Sequence, residues 1–382
     1  MFPDRGTTAG VEPASYSEPA VPGGASGQDT SLSGQLDQTI KKLTGQAPKP
    51  EKAREAFNAG KALYQQTVAG RVRMDRQQVR EAFLEAAEEL KRAAQLWPES
   101  ALAEEARFLA GESYFFADRY PDANEMFEQL LKDYPNTRYQ DLVQKRRFAI
   151  ARYWLKYHNQ DPQAWYHVNL TDETRPWNDL KGAAMRLFRQ IPLDDPTGEL
   201  ADDAVLAQAN ALFVARRYDD ADRLFDDLRT MYPTSEHQFT AHLMGVKTKL
   251  LRYQGPEYDG SVLDEAEKLI EQIRLQFPQE AQANAELLDR AARELRYRKA
   301  EREWLMAKFY DRRKAYGAAR FYYQIVQRDY GDTPFAQQAG TRLAEIQDKP
   351  AEPPQHLQWL VKLFPSSEPE MPLLRNGDSV RR

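Results

Sequence analysis

Three stretches of the 382-residue sequence share one pattern, and that pattern decides the fold. Residues 117–137 are ADRYPDANEMFEQLLKDYPNT, residues 215–235 are ARRYDDADRLFDDLRTMYPTS, and residues 313–333 are RKAYGAARFYYQIVQRDYGDT. Each has a tyrosine, an alanine three residues later, then an aromatic residue, and each closes with a tyrosine and a Ser or Thr. The shared positions hold Tyr120, Tyr218 and Tyr316, then Ala123, Ala221 and Ala319, then Phe127, Phe225 and Tyr323. Apolar residues recur at three- and four-residue spacing, which predicts helices.

A partner helix precedes each of these stretches and carries small residues where two helices must approach closely. The small residues are Ala110-Gly111, Ala209 and Ala307. We expect each to receive the aromatic ring of the helix that follows it, because helix pairs pack large side chains against small ones. Degenerate copies of the pattern fill the gaps and bring the expected total to about six antiparallel helix pairs. Residues 159–177 are an insertion in the third pair, expected to be a loop folded over the groove.

The pattern resembles the tetratricopeptide repeat, whose period is about 34 residues. The resemblance predicts an all-α tetratricopeptide-repeat solenoid over residues 51–347. Residues 1–50 are rich in Pro, Gly and Ser, and we expect a disordered linker there because they cannot bury enough apolar surface to offset chain entropy. Residues 348–382 are expected to form a disordered Pro-rich tail with one short apolar segment, residues 356–364, which should dock on the last helix or on a partner.

The composition excludes several kinds of chemistry. The sequence has no cysteine, which excludes disulfides, zinc–thiolate sites and thiol catalysis. Its 53 basic and 58 acidic residues give a net charge of −5, which disfavours nucleic acid as a partner. No apolar run approaches the roughly 18 residues of a membrane-spanning helix.

Candidate catalytic and metal-binding residues are few. No nucleotide-binding, serine-hydrolase or zinc-protease motif occurs in the sequence. His237 and His242 are five residues apart, on different faces of a helix, and the acidic pairs lack the glycine and terminal glutamate of a calcium loop. We therefore predict no metal, no cofactor and no enzymatic activity. The aromatic residues at helical spacing, including Phe309 and Tyr322, are expected to lie mostly between helices.

The last repeat is more specific than the general pattern. It contains Ala307-Lys308-Phe309-Tyr310, Arg313, Ala315-Tyr316, Ala318-Ala319 and Tyr330-Gly331-Asp332-Thr333-Pro334. An earlier stretch contains Tyr114-Phe115-Phe116, Tyr134-Pro135, Tyr139 and Ala151-Arg152-Tyr153-Trp154. Both resemble the BamD family, outer-membrane lipoproteins of the β-barrel assembly machinery. The resemblance implies a scaffold at the periplasmic face of the outer membrane that binds BamA-like periplasmic domains or unfolded outer-membrane proteins.

Two features depart from that family. Its members are anchored by an N-terminal lipidated cysteine, and this sequence has no cysteine and no recognisable secretion signal. Either the true start lies upstream of Met1 or the protein is not a lipoprotein, and we expect membrane association only through a partner or an anchor outside this chain. In addition, the family's last repeat commonly carries Asn-Arg where this sequence has Phe321-Tyr322, so a contact that uses that arginine would be altered here.

Charge is distributed unevenly along the sequence. Residues 194–236 contain 11 acidic and 4 basic residues, whereas residues 290–320 contain 11 basic and 4 acidic residues. The two segments predict either electrostatically distinct docking surfaces or ordinary solvated helix surfaces. Because the basic segment lies in the repeat that most resembles the family, we predict a protein-binding surface there, unless its arginines pair with acidic residues of their own helices. The candidate residues are Arg298, Arg302, Arg312, Arg313, Arg320 and Tyr322.

Other functions stay open at this point. A CpoB-type periplasmic coordinator of envelope processes would share the Tyr-Pro-x-Ser/Thr endings of the repeats. A cytoplasmic tetratricopeptide-repeat adaptor would fit a chain without a secretion signal. A hydrolase that uses an acidic cluster is the alternative from a different class.

Overall fold

The described part of the chain consists of α-helices and the connections between them, as the all-α prediction requires. The computed structural model describes residues 48–162 and 168–353, and these ranges contain fourteen α-helices and no strand. The helices are α1 (Pro50–Gly70), α2 (Arg76–Leu96), α3 (Ala101–Phe116), α4 (Tyr120–Asp133), α5 (Gln140–Gln160), α6 (Leu180–Asp194), α7 (Ala201–Val214), α8 (Tyr218–Met231), α9 (Gln238–Arg252), α10 (Ser261–Gln276), α11 (Pro278–Ala283), α12 (Ala285–Arg312), α13 (Tyr316–Asp329) and α14 (Pro334–Ile346). A 3-10 turn, Arg71–Arg73, follows α1.

The helices follow one another as antiparallel pairs, which confirms the predicted repeat architecture. The pairs are α1 with α2, α3 with α4, α5 with α6, α7 with α8, α9 with α10, and α12 with α13, and α14 packs against α13. The chain divides into two compact units, and the boundary between Ala241 and His242 falls inside α9. Most of the predicted N-terminal linker, the apolar segment 356–364 of the predicted tail, and Trp165 and Tyr166 of the insertion lie outside the described residues.

Local sequence determines where several helices begin. Asp75 accepts a hydrogen bond from the Gln78 backbone N–H at 2.9 Å, and the Gln78 side chain accepts one from the Asp75 N–H at 3.2 Å, which forms a capping box before α2. Ser100 caps α3 by accepting from the Ala103 N–H at 3.1 Å. Prolines lie in the first turn of α1, α4, α11 and α14, where no intrahelical bond is lost.

The turns inside three pairs share one backbone geometry. Each contains a left-handed residue that is not glycine: Asp118 (φ 58°), Arg216 (φ 59°) and Lys314 (φ 60°). In the last of these turns, the Lys314 N–H donates to the Asp311 carbonyl at 2.9 Å and the Ala315 N–H donates to the Tyr310 carbonyl at 3.0 Å. This is the Schellman arrangement that ends many helices, usually with glycine at the left-handed position.

The predicted contact between a small residue and an aromatic ring is present in the second pair. A Cβ atom on Gly111 of α3 would lie 2.4 Å from Cε1 of Phe127 on α4, so the ring fits only against a glycine. Ala123 and Ala221, at the shared alanine position of α4 and α8, are both 0% exposed. Because protein interiors are close-packed, a larger side chain at either alanine would have to displace its neighbours.

The unit that contains α1–α8 also buries a charged pair between α3 and α5. Arg146 donates to Glu112 from Nε at 2.5 Å and from Nη2 at 2.8 Å, and the Glu112 side chain is fully buried. The guanidinium carbon also lies 5.0 Å from the ring centroid of Phe115. A buried charge that loses its partner is strongly destabilising, so this pair fixes how α3 meets α5.

The described part of the insertion, residues 168–177, folds back onto α5. The indole N–H of Trp154 donates to the Thr174 carbonyl oxygen at 2.9 Å, and the guanidinium carbon of Arg175 lies 4.2 Å from the ring centroid of Tyr157. These contacts attach the loop to the aromatic side of the helix that precedes it.

Candidate protein-binding site

The last helix pair brings four aromatic rings together at its surface. The last turns of α12 contain Phe309 and Tyr310, and the second turn of α13 contains Phe321 and Tyr322. The turn at Lys314 reverses the chain and places the two pairs side by side. The rings of Tyr310 and Tyr322 are stacked, with centroids 5.5 Å apart and 6° between their planes. Phe309 meets Tyr310 edge-on at 5.3 Å, and Phe321 meets Tyr322 edge-on at 5.4 Å.

We call Phe309, Tyr310, Phe321 and Tyr322 the aromatic ridge. Its ends are accessible to solvent, since Phe309 is 36% exposed and Phe321 is 59% exposed, whereas the two tyrosines are half-buried. Each square ångström of apolar surface left in water forgoes about 25 cal/mol of burial free energy. A contiguous row of partly exposed aromatic rings therefore marks a surface that gains from being covered.

Two arginines border the ridge where α12 ends. Arg312 and Arg313 are both exposed, and the guanidinium carbon of Arg313 lies 4.2 Å from the ring centroid of Phe309. Among the residues that the structure describes, no carboxylate lies within ion-pair distance of either guanidinium. Both groups are therefore exposed positive charges at the end of the helix that carries Phe309 and Tyr310.

Asp311, the acidic residue nearest to these arginines in sequence, faces away from them into a network of its own. It accepts hydrogen bonds from Arg342 of α14 at 2.6 and 2.9 Å and from the Tyr323 hydroxyl at 3.2 Å. The Arg342 hydrogen bonds lower the pKa of Asp311 below its usual value, and burial raises the pKa of Tyr323, with nearby Asp311 as a further cause. At neutral pH the carboxylate is charged and the phenol is neutral. The network ties α12, α13 and α14 together.

Arg298 and Arg302 lie on a different part of α12. Arg298 donates from Nε to Glu294 at 2.6 Å, one turn earlier on the same helix. Arg302 lies against Gly260, where a Cβ atom would come within 2.8 Å of Nη1. With a rise of about 1.5 Å per residue, both arginines are about 15–20 Å from Arg312 along the helix. They border the loop before α10 and do not join the ridge.

Arg320 has a contact within the fold. Its Nη1 donates to the carbonyl oxygens of Ile346 at 3.0 Å and Lys349 at 2.9 Å. Helix ends leave such carbonyls without intrahelical partners, so Arg320 caps α14. Of the six residues predicted from the sequence, Tyr322 is part of the aromatic ridge, Arg313 contacts its Phe309 ring, and Arg312 precedes Arg313 at the end of α12.

Sequence reasoning did not identify Phe309 and Phe321 as surface residues. In the aligned repeats the position of Phe321 is occupied by Glu125 and Arg223, and both of those side chains are exposed. The sequence signal for an exposed ring at Phe321 is that the other repeats have exposed charged residues at this position. Most aromatic residues of this pair lie between helices as expected, with Tyr323 1% exposed and Tyr310 and Tyr322 packed against the core, whereas Phe309 and Phe321 face solvent.

Several acidic side chains of residues 194–236 form ion pairs: Asp220 and Asp226 with arginines of the same segment, and Asp194 and Glu199 with Arg147 and Lys145 of α5. Asp220 accepts hydrogen bonds from Arg217 and Arg223, and these lower the pKa of Asp220. Asp226 accepts from Arg229 at 2.9 Å. Within the described ranges, no group of three or more His, Asp or Glu side chains is arranged to hold a metal ion, and no helix is both long and apolar enough to span a bilayer.

Models of two known protein families match parts of this chain. The family model for an outer membrane lipoprotein, YfiO, matches residues 178–352. A tetratricopeptide-repeat model matches residues 105–137. No curated protein matches the chain. The first match covers just under half of the sequence and includes the whole aromatic ridge, and the second coincides with the pair in which Phe127 packs on Gly111. The chain is thus similar to the BamD family in its C-terminal part and contains a tetratricopeptide repeat in its N-terminal part.

Proposed function

We propose that this protein is a non-enzymatic, BamD-like scaffold that binds protein partners in the assembly of outer-membrane β-barrel proteins. The observation that carries the proposal is the outer membrane lipoprotein match over residues 178–352, which includes the helix pair with the aromatic ridge. The site of action is the periplasmic face of the outer membrane. The proposed function requires no cofactor, no metal and no nucleic acid.

The chemistry of the ridge fits a protein partner that offers an apolar surface bordered by carboxylates. Aromatic rings bury much area with few rotatable bonds, and arginine combines several hydrogen bonds with stacking, so both are common interface anchors. Arg312, Arg313 and Lys314 add three consecutive positive charges at the end of α12, which favours fast association with an acidic surface. A BamA-like periplasmic domain or an unfolded outer-membrane protein is the partner that the family resemblance implies. At Tyr322, where relatives often carry arginine, the contact would rely on ring stacking.

A double charge reversal at the ridge tests this proposal. In Arg312→Glu with Arg313→Glu, we expect chemical crosslinking to the co-purified partner to fall by about tenfold, the equivalent of roughly 1.4 kcal/mol of binding free energy. The loss should deepen at low salt, where charge interactions are least screened. Tm should change little, because both side chains are exposed.

A matched control distinguishes an effect of the ridge surface on partner binding from an effect of the overall net charge. Arg290→Glu with Arg293→Glu reverses two exposed charges on the same helix, about 30 Å from the ridge at 1.5 Å per residue. This variant should keep its partner. Partner levels that stay at the wild-type value in both variants would overturn the assignment of the ridge, and an equal loss in both would trace the effect to overall charge.

A further inference from the structure

The chain that leaves α14 folds back over the start of α13. Arg320 holds the carbonyl oxygens of Ile346 and Lys349, and the Gly317 N–H donates to the Ala351 carbonyl oxygen at 2.9 Å. The Lys349 ammonium lies 5.0 Å from the ring centroid of Tyr316. Residues 347–351 are therefore attached along the first turn of α13, which leads directly to the ridge.

Gly317 is the position that allows this close approach. A Cβ atom there would lie 3.1 Å from the Cβ of Ala351 and 3.2 Å from its carbonyl oxygen. Phe321 stands four residues further along α13, one turn above Gly317 on the same side of the helix. The chain thus passes beside Gly317, and Phe321, which is 59% exposed, lies one helical turn further along α13, a rise of about 6 Å.

The sequence that follows has the composition needed to cover such a surface. Residues 356–364 are HLQWLVKLF, with six large apolar side chains in nine positions. This segment begins three positions after residue 353, a reach of about 10 Å. Nine residues span about 30 Å when extended, which is long enough for the three ring-to-ring steps of the ridge. A segment tethered this closely has an effective concentration on the order of millimolar at the ridge.

Charge complementarity favours the same occupant. Beyond the apolar segment the sequence continues with Glu368 and Glu370, while the ridge is bordered by Arg312 and Arg313. The tail leaves the fold beside Gly317, one turn from Phe321 at the apolar end of the ridge. Along the tail, the apolar residues come first and the carboxylates follow, which is the order that this surface requires.

We propose that residues 356–364, the apolar tail segment, dock in cis on the aromatic ridge and cover Phe321 and Phe309. The ridge then has two alternative occupants, the chain's own tail and a partner, and a partner gains access by displacing the tail. The tail contact itself does not depend on the proposed function, because it is formed within one molecule and is tested on the purified protein.

Engineered cysteines test the contact, because the 382 residues of this sequence include none. The pair Gln324→Cys with Gln358→Cys adds one thiol at an exposed site of α13, three residues beyond Phe321, and one within the tail segment, while it keeps every apolar side chain of both surfaces. Under mild oxidation we expect an intramolecular disulfide, seen as a faster-migrating monomer on a non-reducing gel. The control pair Arg290→Cys with Gln358→Cys, at the far end of α12, should form it about tenfold more slowly or not at all.

A second comparison separates docking from simple tethering. When Trp359→Ser, Leu360→Ser and Leu363→Ser are added to the Gln324→Cys, Gln358→Cys chain, the tether keeps its length but loses its apolar side chains. We expect the rate of disulfide formation to fall by about tenfold. An unchanged rate would show that proximity alone explains the crosslink and would overturn the proposal. Disulfide-linked dimers as the main product would assign the ridge to the tail of a second copy and would overturn docking in cis.

Discussion

The Asp311 carboxylate accepts two hydrogen bonds from one guanidinium, from Arg342 Nε at 2.6 Å and from Arg342 Nη2 at 2.9 Å. This two-point contact joins the end of α12 to α14 across the last helix pair. Charge-assisted, two-point contacts are among the stronger side-chain hydrogen bonds in proteins. The pair therefore holds the helix that carries Phe309 and Tyr310 without taking part in the aromatic ridge.

Asp311→Asn should lower the free energy of unfolding by about 1–2 kcal/mol at pH 7, because it removes the charge from both hydrogen bonds. The pKa of Asp311 is depressed in the folded protein. Its contribution is therefore present above the ordinary aspartate pKa, about 3.9, and is lost as the pH falls through the lower folded value. Urea unfolding midpoints of wild type and variant should approach each other as the pH falls below the ordinary aspartate pKa, about 3.9. A gap that stays constant between pH 7 and pH 3 would contradict this assignment, and Asp348→Asn, an exposed site, serves as the control.

Ala123→Leu and Ala221→Leu test the packing of the repeats. Both alanines are 0% exposed, so the added atoms must displace neighbouring side chains, at a cost of about 1–3 kcal/mol each. Thermal unfolding should show a lower Tm for each variant, while Glu125→Leu, an exposed site on α4, leaves it nearly unchanged. Wild-type Tm values for both alanine variants would mean that the alignment of the repeats is misplaced.

The fold was predictable because the repeats carry the same information more than once. The contact between Gly111 and Phe127 belongs to a pattern that recurs in three segments with equal internal spacing, and antiparallel helix pairs are the arrangement that buries all of those positions. Each helix boundary then follows from local signals such as the Asp75 capping box, which depend on residues only a few positions apart.

The candidate site was only partly predictable, because the availability of an arginine depends on residues far away in the sequence. The charge of Arg312 is visible in the sequence, but Arg320 meets the Ile346 carbonyl 26 residues later, and Asp311 meets Arg342 after 31 residues. Helical periodicity carries no information on such pairings. Helical periodicity also does not show that Phe321, at a repeat position where the other repeats have charged residues, is exposed.

Lys314→Gly should stabilise the last helix pair by about 1 kcal/mol. Lys314 has a φ of 60°, a conformation that costs an L-residue roughly 1–2 kcal/mol and that glycine adopts freely. Part of the gain is offset because glycine has more freedom in the unfolded chain. Lys308→Gly, an exposed site inside α12, is the matched control and should lose about 1 kcal/mol. Two variants that shift the urea midpoint in the same direction would argue against the left-handed turn.

Glu112→Ala should be far more damaging than any exposed substitution. It leaves the charge of Arg146 in the interior without the carboxylate that accepts its two hydrogen bonds, at a cost of about 3–5 kcal/mol. A combined Glu112→Leu, Arg146→Met variant removes both charges and should recover most of that loss. If the combined variant is no more stable than Glu112→Ala in urea, the cost lies in lost packing between α3 and α5 and not in the buried charge.

The location of the protein in its native cell distinguishes the proposed function from the other functions that the sequence left open. We expect the protein in the envelope fraction, together with outer-membrane markers, because the outer membrane lipoprotein match covers residues 178–352. Recovery of the whole pool from the cytoplasm would instead indicate an adaptor, and free release with the periplasmic contents would favour a CpoB-type coordinator.

A salt wash of the membrane fraction then identifies how the protein is attached to the membrane. At 1 M salt the screening length falls to about 3 Å, which weakens a contact through Arg312 and Arg313 but not a lipid anchor. If salt releases the wild-type protein, Arg312→Glu with Arg313→Glu should already be released at physiological salt, since its ridge has lost the charges that the partner meets. If the variant stays in the membrane pellet as firmly as the wild type, the attachment does not pass through the ridge.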